Sequence, residues 1–64
     1  MKLKELNEKV NKRPKEWREG QAYFNYLYED EPELADEIRG TNIDPFYQDD
    51  NIESFIKFLV FVNY

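Results

Sequence analysis

The chain contains no cysteine and no histidine. Disulfides, thiolate chemistry and the usual zinc ligand sets are therefore excluded. It has only two glycines, Gly20 and Gly40, and no glycine-rich loop of the kind that cradles phosphates. Long apolar runs are also missing. The longest, Phe58-Leu59-Val60-Phe61-Val62, has five residues, where a bilayer crossing needs about 20. The opening Met1-Lys2-Leu3-Lys4-Glu5 has no apolar stretch behind it and does not read as a secretory signal. The expectation from these absences is a cytoplasmic protein with no membrane partner.

Positive charge is scarce beyond residue 20. Residues 1–20 carry seven Lys or Arg against four Glu, whereas residues 21–64 carry only Arg39 and Lys57 against ten acids. A segment of net +3 thus precedes a body of net −8. Phosphate contact needs clustered Lys and Arg, so the body is not expected to bind nucleic acid directly. The basic first segment is expected to rest against the acidic body, with contact to an anionic partner as the alternative.

What is present is enough for one domain of 64 residues. A core this small seldom supplies more than about 3–5 kcal/mol of net stability without a staple. Its apolar residues recur at helical spacing. Leu3, Leu6 and Val10 form one narrow stripe, and Pro14 disfavours helix at Arg13. Residues 1–13 therefore read as a helical arm, and residues 14–64 as a compact helical domain. Pro14 suits the first turn of a second helix, whose apolar face would hold Trp17, Gln21, Phe24, Leu27 and Tyr28. Gly20 on that face would let another backbone approach. Gln21, if buried, is expected to bond the loop around residues 40–46, since an unpaired buried amide costs about 1–3 kcal/mol.

A third helix fits residues 32–39, opened by Pro32 and stopped by Gly40 in a left-handed conformation. Asp44-Pro45 repeats the start signal and would open a single turn carrying Phe46 and Tyr47. The last helix is expected from Asp50, with Glu53 reaching back, and with Ile52, Phe55, Ile56, Leu59 and Val62 facing inward. The β-branched and aromatic "KFLVFV" also admits a strand, and helix is favoured by the cap and the period through Leu59. The fold expected is all-α, a small three- to four-helix bundle with an N-terminal helical arm.

The pieces Gly20-Gln21, Phe24-Asn25, Leu27, Pro32, Leu34-Ala35, Ile38-Arg39-Gly40-Thr41, Asp44-Pro45-Phe46-Tyr47, Asp49, Ile52 and Phe55 carry a resemblance. Together they resemble a family of short, functionally unassigned proteins encoded by bacteria and their phages. Its most specific part is the IRGT-xx-DPFY segment. The resemblance implies a complete small domain in a phage or bacterial setting, and it brings no activity with it.

Two groups of residues are candidates for partner binding. Arg39, Thr41, Asp44, Tyr47, Asp49 and Asp50 gather around the turn after the third helix. They either form a recognition notch or simply fix a corner, Arg39 pairing with Asp44 or Asp49 and Thr41 and Asp44 holding loose backbone N–H groups. Tyr23, Tyr26, Phe58 and Phe61 lie on the flanks or outer faces of their helices. Eleven aromatics in 64 residues exceed what so small a core readily hides. Exposed aromatics mark protein contact, unless the arm covers them.

Catalysis is not expected. Asp44, Asp49, Asp50 and Glu53 offer carboxylates, but acid–base work needs an enclosing pocket to shift their pKa values. No cofactor is implied, and "DPFYQDDNIE" lacks the alternating oxygen ligands and central glycine of a calcium loop. The expected function is therefore a small acidic, non-enzymatic interaction module. In a phage setting it would inhibit or modulate a host protein, and its acids would even fit imitation of DNA on a nucleic-acid-handling protein. The alternative is a structural or assembly role as a small homo-oligomer, a homodimer being the simplest.

Overall fold

Leu6 and Val10, four apart, stand on one side of the first helix, and both are buried. That helix, α1, spans Lys2–Asn11 of a computed structural model that describes residues 2–64. It is followed by α2 (Glu19–Asp30), α3 (Pro32–Ile38), a 3₁₀ turn (Asp49–Asn51) and α4 (Ile52–Phe61). Among the described residues there is no strand, so the fold is all-α. Nor, among the described residues, is any helix long and apolar enough to cross a membrane.

α2 is the central element. α1 and α3 pack against it directly, and the 3₁₀ turn rests on its first turn. α4 reaches the core mainly with large side chains: Phe55 and Leu59 are fully buried, and Phe55 meets the Tyr23 ring edge-on at 5.8 Å. The radius of gyration, 10.4 Å, matches the roughly 11 Å expected of a globule of this length. α1 is thus folded against the body and forms one wall of the core.

The second helix does not begin at Pro14. Arg13 explains why. Its guanidinium donates to the carbonyls of Val10 and Trp17, both at 3.0 Å, closing α1 and fastening the connector in one step. Residues 14–17 then form a turn, with Trp17 N–H donating to the Pro14 carbonyl at 3.1 Å. Trp17 lies outside α2 and packs its ring on Tyr26 at 5.6 Å.

Because α2 is covered from two sides, its buried face holds Ala22, Tyr23, Phe24 and Leu27. That face is turned toward Tyr23 and away from Tyr28, which is exposed. Gln21 does not reach the loop around 40–46. Its Oε1 accepts instead from the Arg18 backbone N–H at 3.4 Å. Gly20 does receive a close backbone: a Cβ there would run into the Pro45 carbonyl oxygen and lie 2.7 Å from Asp49 Oδ1.

α3 ends as expected, with Gly40 left-handed at φ 76°. The segment after Asp44-Pro45 is a bend and not a helical turn. Pro45 is pinned against Gly20 while Asp44 Oδ1 accepts from Phe46 N–H at 2.9 Å, which turns the chain locally. Asp50 does not cap the last helix. It lies inside the 3₁₀ turn, and α4 has no side-chain cap of its own.

The tail is helical through Phe61 and then closes. Asn63 is left-handed at φ 66°, its N–H bonds the Val60 carbonyl at 3.0 Å, and Tyr64 N–H bonds the Leu59 carbonyl at 2.9 Å. This pair of bonds is the Schellman arrangement, for which Asn is a suitable pivot. It sends Tyr64 back to the body. There the Tyr64 carbonyl accepts from Lys2 N–H at 2.7 Å and its hydroxyl donates to Asp30 Oδ2 at 2.8 Å.

Candidate partner-binding surface

The face made by α2, α3 and the loop between α3 and α4 begins with a helix that lacks a cap. Arg18 precedes α2, and its side chain caps nothing. The free N–H groups of the first turn need an acceptor. Asp49 supplies it from 29 residues away: its Oδ1 accepts from Gly20 N–H at 3.0 Å and from Arg18 Nη1 at 3.2 Å. Arg18 Nη2 also donates to the Phe46 carbonyl. One carboxylate therefore caps α2, pairs with Arg18 and draws the loop down onto Gly20.

The loop is held equally well from its other end. Thr41 Oγ1 donates to the Ile38 carbonyl at 2.7 Å and accepts from Ile43 N–H at 3.3 Å. Asp44 Oδ2 accepts from Gly40 N–H at 2.7 Å, and Asn51 Nδ2 donates to the Asp44 carbonyl at 2.9 Å. Thr41, Asp44 and Asp49 thus hold the corner: the Thr41 hydroxyl, both Asp44 carboxylate oxygens and Asp49 Oδ1 are engaged within the chain. Arg39 does not pair with Asp44 or Asp49. It bonds Asp36 at 2.9 Å and lies over the rings of Phe24 and Tyr28, at 5.4 and 5.2 Å. The reason is that Arg18 has already taken Asp49, and two backbone N–H groups have taken Asp44.

What the corner presents is a row of rings. Tyr28 lies 6.3 Å from Phe24, Phe24 meets Phe46 edge-on at 5.7 Å, and Phe46 meets Tyr47 edge-on at 4.7 Å. Phe24 is buried and Phe46 half-buried, while Tyr47 is 81 % exposed. Arg39 and Tyr47 are thereby brought to one face, together with Tyr28. Asp50 is exposed beside them in sequence, within the 3₁₀ turn.

The four flanking aromatics fare differently. Tyr23 is buried, with its hydroxyl donating to Asn7 Oδ1 of α1 at 2.7 Å. Tyr26 is half-buried under Trp17, with Lys9 of α1 above its ring. Tyr23 is thus taken into the core and is not a surface residue, while Tyr26 keeps part of its ring exposed. Phe58 is half-buried, and Phe61 stands 86 % exposed beside the exposed Val60 and Val62.

The shifted pKa values lie elsewhere, where the chain ends meet. Burial, then the hydrogen bond to Asp30, pushes the Tyr64 hydroxyl well above its usual value. That hydrogen bond, ahead of the nearby Lys2, holds Asp30 below the ordinary carboxylate range. Lys2 is raised, chiefly by its bond to Glu31 at 2.9 Å and then by Asp30. Tyr23 is raised by burial and secondarily by Glu19. Each shift follows from a contact that closes the fold.

Sequence reasoning missed Arg18 and Tyr64, and it placed Tyr28 on the buried face of α2, where the structure leaves it exposed. For Arg18 a signal existed: a helix start without Ser, Thr, Asp or Asn before it must find its acceptor elsewhere. For Tyr64 the signal was Asn63, a residue suited to the left-handed stop that sends the chain back. Nothing local marked Tyr28.

The class defined by this fold and face is a small all-α bundle with a rigid aromatic corner. Among the described residues no group of acids is gathered so as to hold a metal ion. Comparison with protein-family models, with curated proteins and with solved structures gives no match.

Proposed function

We propose that this chain is a non-enzymatic interaction module that engages a protein partner through Tyr47, Arg39 and Tyr28. The observation that carries the reading is Tyr47. It is 81 % exposed, yet it is braced edge-on by Phe46, which sits on a loop tied at both ends. A large aromatic held outward by a rigid support loses little entropy on binding, and Tyr and Arg are the residues that dominate contact energies. The polar atoms of Thr41, Asp44 and Asp49 serve by holding that loop. The IRGT-xx-DPFY resemblance sets the module in phage or bacterial biology, where modulation of a host protein fits such a surface.

The test is a pull-down from host lysate with the intact protein and with a Tyr47→Ser/Arg39→Ser variant in parallel. Both side chains are exposed, so the variant should keep its circular dichroism and thermal midpoint. The expected result is a protein retained by the intact bait and lost from the variant. Identical captures by two folded baits would refute the reading. The alternative, a homo-oligomeric structural subunit, is favoured by a separate feature, the apolar end of α4 formed by Val60, Phe61 and Val62.

A further inference from the structure

The row of rings at the corner already holds one cation. Arg39 lies over Phe24 and Tyr28, at 5.4 and 5.2 Å, at one end of the row. At the other end Tyr47 is 81 % exposed, and among the described residues no Lys or Arg lies over its ring. The charge around that bare ring has one sign. Residues 40–56 carry Asp44, Asp49, Asp50 and Glu53 and no Lys or Arg. Arg18 and Arg39, which border the loop, are each paired, with Asp49 and Asp36. Asp44 accepts only from backbone N–H groups, which leaves its charge without a cation. Asp50 is exposed and makes no ion pair among the described residues.

We infer that the partner meets Tyr47 with a basic segment, one arginine stacking on the ring while an adjacent residue faces the carboxylates of Asp49 and Asp50. This rests on the corner as the contact surface and names the chemistry that the surface receives. The face of an aromatic ring carries negative potential and attracts a cation. The carboxylates around it draw in positive charge and repel an acidic partner. A second copy of this chain, at net −5, is disfavoured by the same field. Arginine suits the site better than lysine, because its planar guanidinium both stacks on a ring and forks onto a carboxylate. Asp50 follows Tyr47 by three residues, within about 11 Å along the chain. Neighbouring residues of one bound segment can therefore serve the ring and the carboxylate together. Only one or two of the partner's charges are engaged, so salt weakens this contact far less than it would weaken imitation of a row of phosphates.

Heteronuclear NMR of the isotope-labelled full chain tests the assignment. The probe is a blocked peptide carrying two arginines, and the control is its citrulline counterpart, of the same shape but uncharged. The arginine peptide should shift the amide signals of Phe46, Tyr47 and Asp50 saturably, with a dissociation constant on the order of 1–10 mM. The citrulline peptide should bind about fivefold more weakly or worse. Tyr47→Leu, which keeps an apolar side chain and removes the ring, should weaken the arginine peptide about two- to fivefold. Asp50→Asn should weaken it about twofold. Both side chains are exposed, so circular dichroism should report an unchanged fold. Equal binding of the citrulline peptide, shifts spread evenly over the acidic body, or indifference to Tyr47→Leu overturns the inference. So do the same shifts on concentrating the chain alone, which would seat a second copy at the corner. If the arginine peptide leaves these signals unmoved while the Tyr47→Ser/Arg39→Ser bait still loses its partner, the basic segment is refuted and the corner stands. If that bait captures what the intact chain captures, both fall.

Discussion

Gly20 and Gly40 are the only glycines, and they are needed for opposite reasons. Gly40 has open space around it and a left-handed backbone; Gly20 has ordinary helical geometry and no space. Gly20→Ala should therefore cost about 2–3 kcal/mol, because a backbone carbonyl must move. Gly40→Ala should cost about 1 kcal/mol from strain alone, and Gly40→Asn should recover most of it. Urea midpoints of the three variants, with Gly20→Asn as the control that recovers nothing, check the distinction. Tyr64 makes a different prediction, through pH. Its hydroxyl pKa is higher folded than unfolded, so its contribution is complete below about pH 10 and is lost as pH rises through the folded value. Asp30 is lowered, so its contribution is present above about pH 4 and fades as pH falls further. Tyr64→Phe should flatten both limbs of a stability-against-pH curve measured by urea titration.

At the scale of elements, α1 is the helix whose role differs most from its appearance. Its charged composition and narrow stripe suggest an appendage, yet Leu6 and Val10 are both buried in the core. Leu6→Ala should cost about 2–5 kcal/mol, enough to consume most of the stability such a core supplies. A thermal midpoint within a few degrees of the native one would show α1 to be a loose cover instead. The element boundaries were legible wherever a local stop existed: Gly40 after α3, Pro32 at its start, the period of α4 through Leu59. They were illegible at Pro14 and Asp50. Both residues carry start signals, and in both places the neighbouring residue had already claimed the chain, Arg13 by bridging Val10 and Trp17 and Asp49 by capping α2 from 29 residues away.

On the scale of the whole molecule, the opposite charges of the two segments meet where the ends close. Lys2 of the basic segment bonds Glu31 and lies 3.5 Å from Asp30, both at the junction of α2 and α3. The basic segment thus rests on the acidic body, as its charge suggested. Salt separates the kinds of partner. If the acids of the body imitate phosphate, capture of a nucleic-acid-handling protein should weaken steeply as salt rises; if Tyr47 and its rings dominate, capture should change little.

Periodicity and local stops determined by themselves that this chain is helical and roughly where its helices lie, because those are properties of near neighbours in the chain. Only the tertiary structure decided which flank of α2 is hidden, which arginine takes Asp49 and which aromatics remain outside. Those outcomes depend on competition among groups some thirty residues apart for the same few partners. In a chain this short, a single such choice turns a helix face from surface into core.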